Sequence, residues 1–179
     1  MIGYVDADGA TAPPAFLDLI RHTPGADCVI GSRWLAGAVL HQMQTGRRQF
    51  ASRVFHRIVQ FFFGMNIRDT QCGAKVMRRA AVEKIHPSLC IADMAFDINL
   101  LYLLKRAGFT VLEVPTEWTD KVGSKVALGR TSLTMLLSVI RLKMIYSRLN
   151  PLRKLFAPVE NWLYRKLNAP PPNPDPKLR

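Results

Sequence analysis

Tyr4-Val5-Asp6-Ala7-Asp8-Gly9-Ala10-Thr11 runs two β-prone residues straight into two carboxylates one residue apart. On a strand, residues i and i+2 face the same side. The spacing predicts that Asp6 and Asp8, at a strand's end, aim both carboxylates at one spot, and that Gly9 lets the chain turn sharply. Carboxylate oxygens are hard ligands that suit Mg2+ or Mn2+, and such ions usually also hold substrate phosphates. The stretch therefore points to a metal–diphosphate site at the carboxyl end of a strand in an α/β sheet, where such sheets bind ligands.

The acidic pair alone admits other readings. A solvated turn after an edge strand has the same composition. A calcium loop does not fit: Leu17 stands where its twelfth-position Glu is needed, and Ala10 stands at the fifth. A haloacid-dehalogenase-type phosphatase also opens with a strand and Asp-x-Asp, and at this point that reading stays open.

A chain of 179 residues with 49% hydrophobic content is long and apolar enough for one domain with a core. The formal charge of +12 asks for an anionic partner: phosphate, anionic lipid or nucleic acid. From Lys121 onward there are twelve Lys and Arg against two acidic residues, so the basicity belongs to the C-terminal third. Cys28, Cys72 and Cys90 form no Cys-x-x-Cys or metal spacing, which fits a reducing compartment. Acidic residues arrive at Asp6 before any apolar signal region, and no run of 18 uncharged apolar residues offers a membrane span. A strand this close to Met1 needs neighbours. Either it docks at a sheet edge or the chain lacks an N-terminal part.

Thr11 is placed to cap a helix over 14–22 whose first turn holds Pro13 and Pro14, with Phe16, Leu19 and Ile20 as its buried face. Cys28–Ile30 reads as a strand, and Arg33, just past Gly31-Ser32, is placed to grip a phosphate. Residues 34–49 read as a mobile loop and 50–63 as a helix with an apolar stripe from Phe50 to Phe62. Residues 67–75 gather Arg68, Asp69, Gln71, Gly73 and Lys75, a mixture that packing alone does not explain. A helix over 96–107 and a strand over 111–114 follow, with Glu117-Trp118 continuing the extended run. Strands and helices alternate at short spacing, which is an α/β pattern with a mixed sheet and flanking helices.

Five stretches in order, YVDADGAT, VIGSR, IRDTQCGAK (67–75), AFDINLLYLLKRAGF (95–109) and EVPTEWTDKVGSKV (113–126), resemble the dolichyl-phosphate β-glucosyltransferases. These are family-2 glycosyltransferases close to the dolichyl-phosphate mannose synthases. The resemblance covers roughly residues 2–148 and implies a GT-A fold. It also implies transfer of a sugar, glucose from UDP-glucose in the narrowest form, to dolichyl or another polyprenyl phosphate. By matching positions it makes Asp6 and Asp8 the ligands of Mg2+ or Mn2+. Arg33, Arg48 and Arg53 would contact phosphates, Asp69, Gln71 and Lys75 would line the sugar and acceptor pocket, and Lys125 would close over the phosphates. A phosphate acceptor is already anionic at pH 7, so no strong base is required; Asp69 and Asp97 are the candidates.

The resemblance has three departures. The family begins with a nucleotide-binding half that ends in the Asp-x-Asp strand, and the chain reads as an incomplete GT-A unit over 1–126 that alone transfers sugar poorly. Asn99 stands where the family carries an acid, and Ala74 where it carries an aromatic. The phosphatase reading recedes here, because no later acidic pair completes its metal site.

Residues 127–167 read as basic amphipathic helices and 168–179, with five Pro, as a disordered tail. In 131–149, Leu133, Leu136, Leu137, Ile140 and Met144 share one helical face, while Arg130, Arg141 and Arg148 share another. A second helix around 159–167 carries Trp162 and Tyr164, residues favoured at headgroup depth. Both fit an anionic membrane surface, on the cytoplasmic face. Nucleic acid is not the expected partner, since the basic segment lacks aromatics interleaved on a sheet. The competing reading is a non-catalytic remnant that binds membrane or lipid phosphate.

Overall fold

The computed structural model of the chain describes residues 1–41, 46–91, 93–119, 128–148 and 150–167. Its strands are β1 (Ile2–Val5), β2 (Cys28–Ser32), β3 (Val39–Leu40), β4 (Ala74–Met77), β5 (Val111–Pro115) and β6 (Glu117–Trp118). Its α-helices are α1 (Pro13–His22), α2 (Gly46–Phe63), α3 (Arg79–Ile85), α4 (Phe96–Arg106), α5 (Leu128–Ile145) and α6 (Arg153–Lys166).

The main sheet is mixed, in the order β1-β4-β2-β5. β4 runs antiparallel to both β1 and β2, and β5 runs parallel to β2. This direction matters for the site. The carboxyl ends of β1, β2 and β5 share one edge, and the residues leading into the reversed β4 arrive at that same edge. Tyr4, Lys75, Ile30 and Glu113 form one row across the sheet.

Helices cover both faces. On one side Phe16, Leu19 and Ile20 of α1 pack on Val29, Val76 and Val114. On the other, Val59 and Phe63 of α2, Ile98 and Leu101 of α4, and Val139 and Leu142 of α5 close over Cys28, Ile30 and Met77. Each such side chain, fully withdrawn from water, contributes about 1.5–3 kcal/mol. The result is an α/β fold with helices on both sheet faces, consistent with a GT-A-like architecture.

Several elements depart from expectation. Thr11 does not cap α1: Ala12 holds the N-cap without a side-chain bond, and Thr11 bridges to Trp118 instead. α2 starts at Gly46, so the stretch 34–49 contributes one short strand and the first turn of a helix; residues 42–45 lie outside the described part. β3 pairs with β6 in a separate two-stranded sheet, so Glu117-Trp118 leaves the sheet that β5 belongs to.

The C-terminal helices also differ. α5 packs on α2 and α6 packs on α5. Arg141 is 5% exposed and lies 3.5 Å from Glu160 of α6, so it does not face outward as its helical spacing suggests. Tyr164 is 3% exposed, with its hydroxyl 2.6 Å from Ser138 Oγ, and does not sit at headgroup depth. A half-buried carboxylate across the interface accounts for the first reversal and a buried hydroxyl for the second. Arg148 is exposed, and the side chain of Arg130 lies outside the described residues, as does the whole of 168–179. α6 begins at Arg153 and exposes Leu155, Phe156, Val159 and Trp162 along its outer side.

Candidate active site

The edge where β1, β2 and β5 end collects the charged residues. β1 stops at Val5, but Asp6 continues its ladder by one bond, donating its N–H to Gly73 O at 2.9 Å. Its carboxylate lies directly over Gly73. A Cβ there would come within 1.9 Å of Oδ2, so any side chain at this position displaces the Asp6 carboxylate. Asp8 is not on the strand. It sits in the following turn, where Oδ1 accepts the Ala10 N–H at 2.9 Å and Gly9 takes a φ of 67°. The turn, rather than strand alternation, presents the second carboxylate. Thr119, just past β6, flanks this turn, its N–H donating to Ala10 O at 2.9 Å.

Two ion pairs stand beside it. Arg33 reaches Asp69 with Nε to Oδ2 at 2.7 Å and Nη2 to Oδ1 at 2.9 Å, while its backbone N–H adds a third bond at 3.0 Å. The guanidinium also lies over the Trp118 ring, 5.1 Å from its centre. Burial pushes the Asp69 carboxyl up, but the Arg33 bonds and charge outweigh it and hold it below the ordinary carboxylate range. Glu113 of β5 supports the same loop, accepting the Arg68 and Asp69 N–H groups at 2.8 and 2.9 Å.

The second pair is built on Lys75, which is fully buried in the middle of β4. Its Nζ donates to Asp97 Oδ1 at 2.8 Å and to Cys72 O at 2.5 Å. Asp97 occupies the first turn of α4, where the helix dipole favours a carboxylate. The Tyr4 hydroxyl donates to the same oxygen at 2.5 Å. Burial, then the Asp97 charge, raises the Tyr4 phenol far above its usual value, so it remains a donor.

The remaining acids are Asp6 and Asp8. Among the described residues neither carries an ion pair. Burial first, then the charges of Asp97 and Asp8, raises the Asp6 carboxyl above its ordinary value. Two hard carboxylates, with the Asp6 carboxyl raised by burial and by the neighbouring acids more than Lys75 and Arg33 lower it, fit a divalent cation. They are two ligands only: the described residues contain no group of three or more His, Cys, Asp or Glu able to hold a metal. Mg2+ typically takes one or two carboxylates and completes its shell with water and phosphate oxygens.

Of the other expected residues, Gln71 lies beside Asp69, and the rest fall elsewhere or outside the described part. Gln71 lines a narrow cleft with Arg33, Trp34, Phe55 and His56, and its Nε2 reaches Met94 O at 3.4 Å. Arg53 is exposed on α2. The Arg48 side chain and all of Lys125 lie outside the described residues. Asn99 is a buried residue of α4, its Oδ1 accepting the Tyr146 hydroxyl at 2.9 Å. Cys28 and Cys72 are buried with thiols pushed up to about 12 and about 11, which makes them poor nucleophiles. A larger groove of about 510 Å3, lined by Lys84, Arg106 and Tyr146 among others, lies at the C-terminal ends of α3, α4 and α5. Its two cations stand in the last turns of α3 and α4, where the helix dipole favours positive charge, and Arg106 also lies over the Tyr146 ring, 5.7 Å from its centre.

Sequence reasoning missed Tyr4, Glu113 and Trp118. Tyr4 was two residues before Asp6 and therefore on its face. Glu113 was the one acid inside an apolar strand, Val-Leu-Glu-Val.

No protein-family model matches the chain. Curated proteins do. A dolichyl-phosphate β-glucosyltransferase of Dictyostelium discoideum is 34% identical over 148 residues, covering 79% of this chain and 45% of that protein. The glycosyltransferase AglD of Haloferax volcanii is 31% identical over 140 residues, covering 77% of this chain and 22% of that protein. A dolichyl-phosphate β-glucosyltransferase of Saccharomyces cerevisiae is 40% identical over 93 residues, covering 51% of this chain and 28% of that protein. The chain thus spans less than half the length of each of these relatives. Over most of its own length, the chain is family-2 glycosyltransferase-like, a relative of the dolichyl-phosphate β-glucosyltransferases.

Proposed function

We propose that the chain carries the metal- and acceptor-side chemistry of a glycosyltransferase that moves a sugar from a nucleotide-sugar to a polyprenyl phosphate. Glucose, UDP and dolichyl phosphate are the specific forms suggested by the relatives' names. The observation that carries the reading is the Asp6–Asp8 pair, without ion-pair partners among the described residues and seated against Gly73 at the carboxyl edge of the sheet.

Asp6 and Asp8 would hold Mg2+ or Mn2+, which supplies positive charge for the leaving diphosphate. The Arg33–Asp69 fork fixes the loop after β2 against the loop before β4. Lys75 and Tyr4 hold Asp97 in one orientation, both bonded to its Oδ1. An anionic acceptor phosphate needs no strong base, so Asp97 orients rather than abstracts.

Among the described residues, no helix is long and apolar enough to cross a membrane. The proposal is of a protein acting at a membrane surface, peripherally and on the cytoplasmic face, and the exposed Leu155, Phe156, Val159 and Trp162 of α6 support it as a surface to turn to the bilayer. Exposed Phe50, Val54 and Phe61 of α2 add apolar area, and exposed Arg53 and Arg57 lie on the same helix.

The test is transfer of radiolabelled glucose from UDP-glucose to dolichyl phosphate, with the chain assayed alone and joined to the remaining segment of its Dictyostelium relative. Metal-dependent lipid-linked glucose in either form supports the reading. Its absence from both, with the intact relative active in parallel, refutes it.

A further inference from the structure

Asp93 lies four residues before Asp97, on the turn that opens α4, and nothing above gives it a role. Its contacts are unusually divided. Oδ1 accepts the Ala95 N–H at 2.8 Å, and its backbone carbonyl accepts the Phe96 N–H at 2.9 Å. Both bonds shape the first turn of the helix that carries Asp97. Oδ2 points the other way and accepts the Ser138 hydroxyl of α5 at 2.7 Å. Ser138 Oγ in turn lies 2.6 Å from the Tyr164 hydroxyl of α6.

Each hydroxyl has one proton, which fixes the direction of the chain. Ser138 donates to the carboxylate, so Tyr164 must donate to Ser138. Ser138 and Tyr164 are 2% and 3% exposed, so water does not replace either bond. A buried relay of this kind keeps a single geometry because every alternative leaves a polar group unpaired. The arrangement thus links α6 to α5, α5 to Asp93, and Asp93 to the turn that aims Asp97 at Lys75 and Tyr4.

We propose that Asp93 is a positioning residue: it hangs the first turn of α4, and with it Asp97, on the α5–α6 pair. Its importance for sugar transfer rests on the function proposed above; its structural effect does not. The same two helices carry exposed apolar residues, so the Asp93 carboxylate is a polar link by which the seating of α5 and α6 reaches the site.

Amide hydrogen exchange followed by mass spectrometry tests this on the full chain. In Ser138→Ala and in Tyr164→Phe, exchange at residues 94–98 should rise about tenfold, as expected for loss of a buried hydrogen bond to a charged group. Exchange in the strands should stay unchanged. Ser138→Thr keeps the hydroxyl and should restore slow exchange. Tyr164→Phe removes only an oxygen and provides the reading if Ser138→Ala fails to fold. Unchanged exchange at 94–98, or a rise spread evenly over the whole chain, overturns the proposal. If exchange behaves as expected while the joined protein transfers no sugar, the positioning stands and the functional reading falls.

Discussion

The Asp6 carboxylate rests on the bare Cα of Gly73, closely enough that an added methyl would lie 1.9 Å from Oδ2. The contact joins the end of β1 to the residue that leads into β4. It explains why an acid and a glycine 67 positions apart in sequence act as one unit. Gly73→Ala should therefore displace Asp6 and cost about 1–3 kcal/mol, the usual range for overpacking. Asp6→Ala should recover much of that loss in the double variant, a coupling that urea melts of the four proteins will measure.

Lys75 supplies a second prediction. Lys75→Met keeps the length of the side chain and leaves Asp97 without its cation. Breaking a buried pair in this way costs about 3–5 kcal/mol. The Asp97 side chain is 22% exposed, so the loss should fall at or below the lower end, about 2–3 kcal/mol. Lys75→Met with Asp97→Asn should be more stable than Lys75→Met alone, because no unpaired charge remains. Equal stability of the two would mean that the pair contributes nothing.

Asp69 makes a prediction about acid. Its carboxyl sits below the ordinary value in the folded chain, against about 3.9 for an unperturbed Asp. A depressed folded value contributes stability that is complete above the unfolded value and lost as pH falls through the folded one. Asp69→Asn should thus be less stable than the parent by a constant amount from neutral pH down to about 5. The gap should close progressively below about 4. A gap that widens on acidification contradicts the assignment.

Vesicle binding separates the two sides of the C-terminal helices. Trp162→Ser and Leu155→Ser, on the exposed side of α6, should weaken cosedimentation with phosphatidylserine vesicles by about tenfold each while leaving the melting temperature unchanged. Arg141→Met should do the reverse. It removes the cation 3.5 Å from the half-buried Glu160, so the melting temperature falls, and the exposed apolar side of α6 stays intact. Weakened binding by Arg141→Met at unaltered stability would place Arg141 at the membrane after all.

The elements legible in the sequence were those whose periodicity is local. Cys28–Ile30, Val111–Val114 and the helix from Phe96 are bounded by Gly, Pro or capping charges, and they appear within a few residues of expectation. β4 was not legible because its centre is Lys75, which reads as solvent-facing; only the carboxylate of Asp97, 22 positions on, makes it a core residue. Arg141 misled in the same way, since its partner Glu160 lies on another helix. Asp6 and Asp8 were legible as a pair, but their geometry was not. The turn that holds Asp8 depends on a side-chain bond to Ala10, and the seat of Asp6 depends on Gly73. Tertiary pairing of charges is invisible to patterns of one helix or one strand.

The central claim is that Asp6 and Asp8 form the metal–diphosphate edge of a sugar-transferring site. Electron paramagnetic resonance of free Mn2+, titrated with the chain in the presence and absence of UDP-glucose, tests it most directly. One bound ion is predicted, held more tightly when the nucleotide-sugar supplies phosphate oxygens, with the affinity lost in Asp6→Asn combined with Asp8→Asn. Mn2+ binding that is undiminished in the double variant, or no bound ion even with UDP-glucose present, would contradict it.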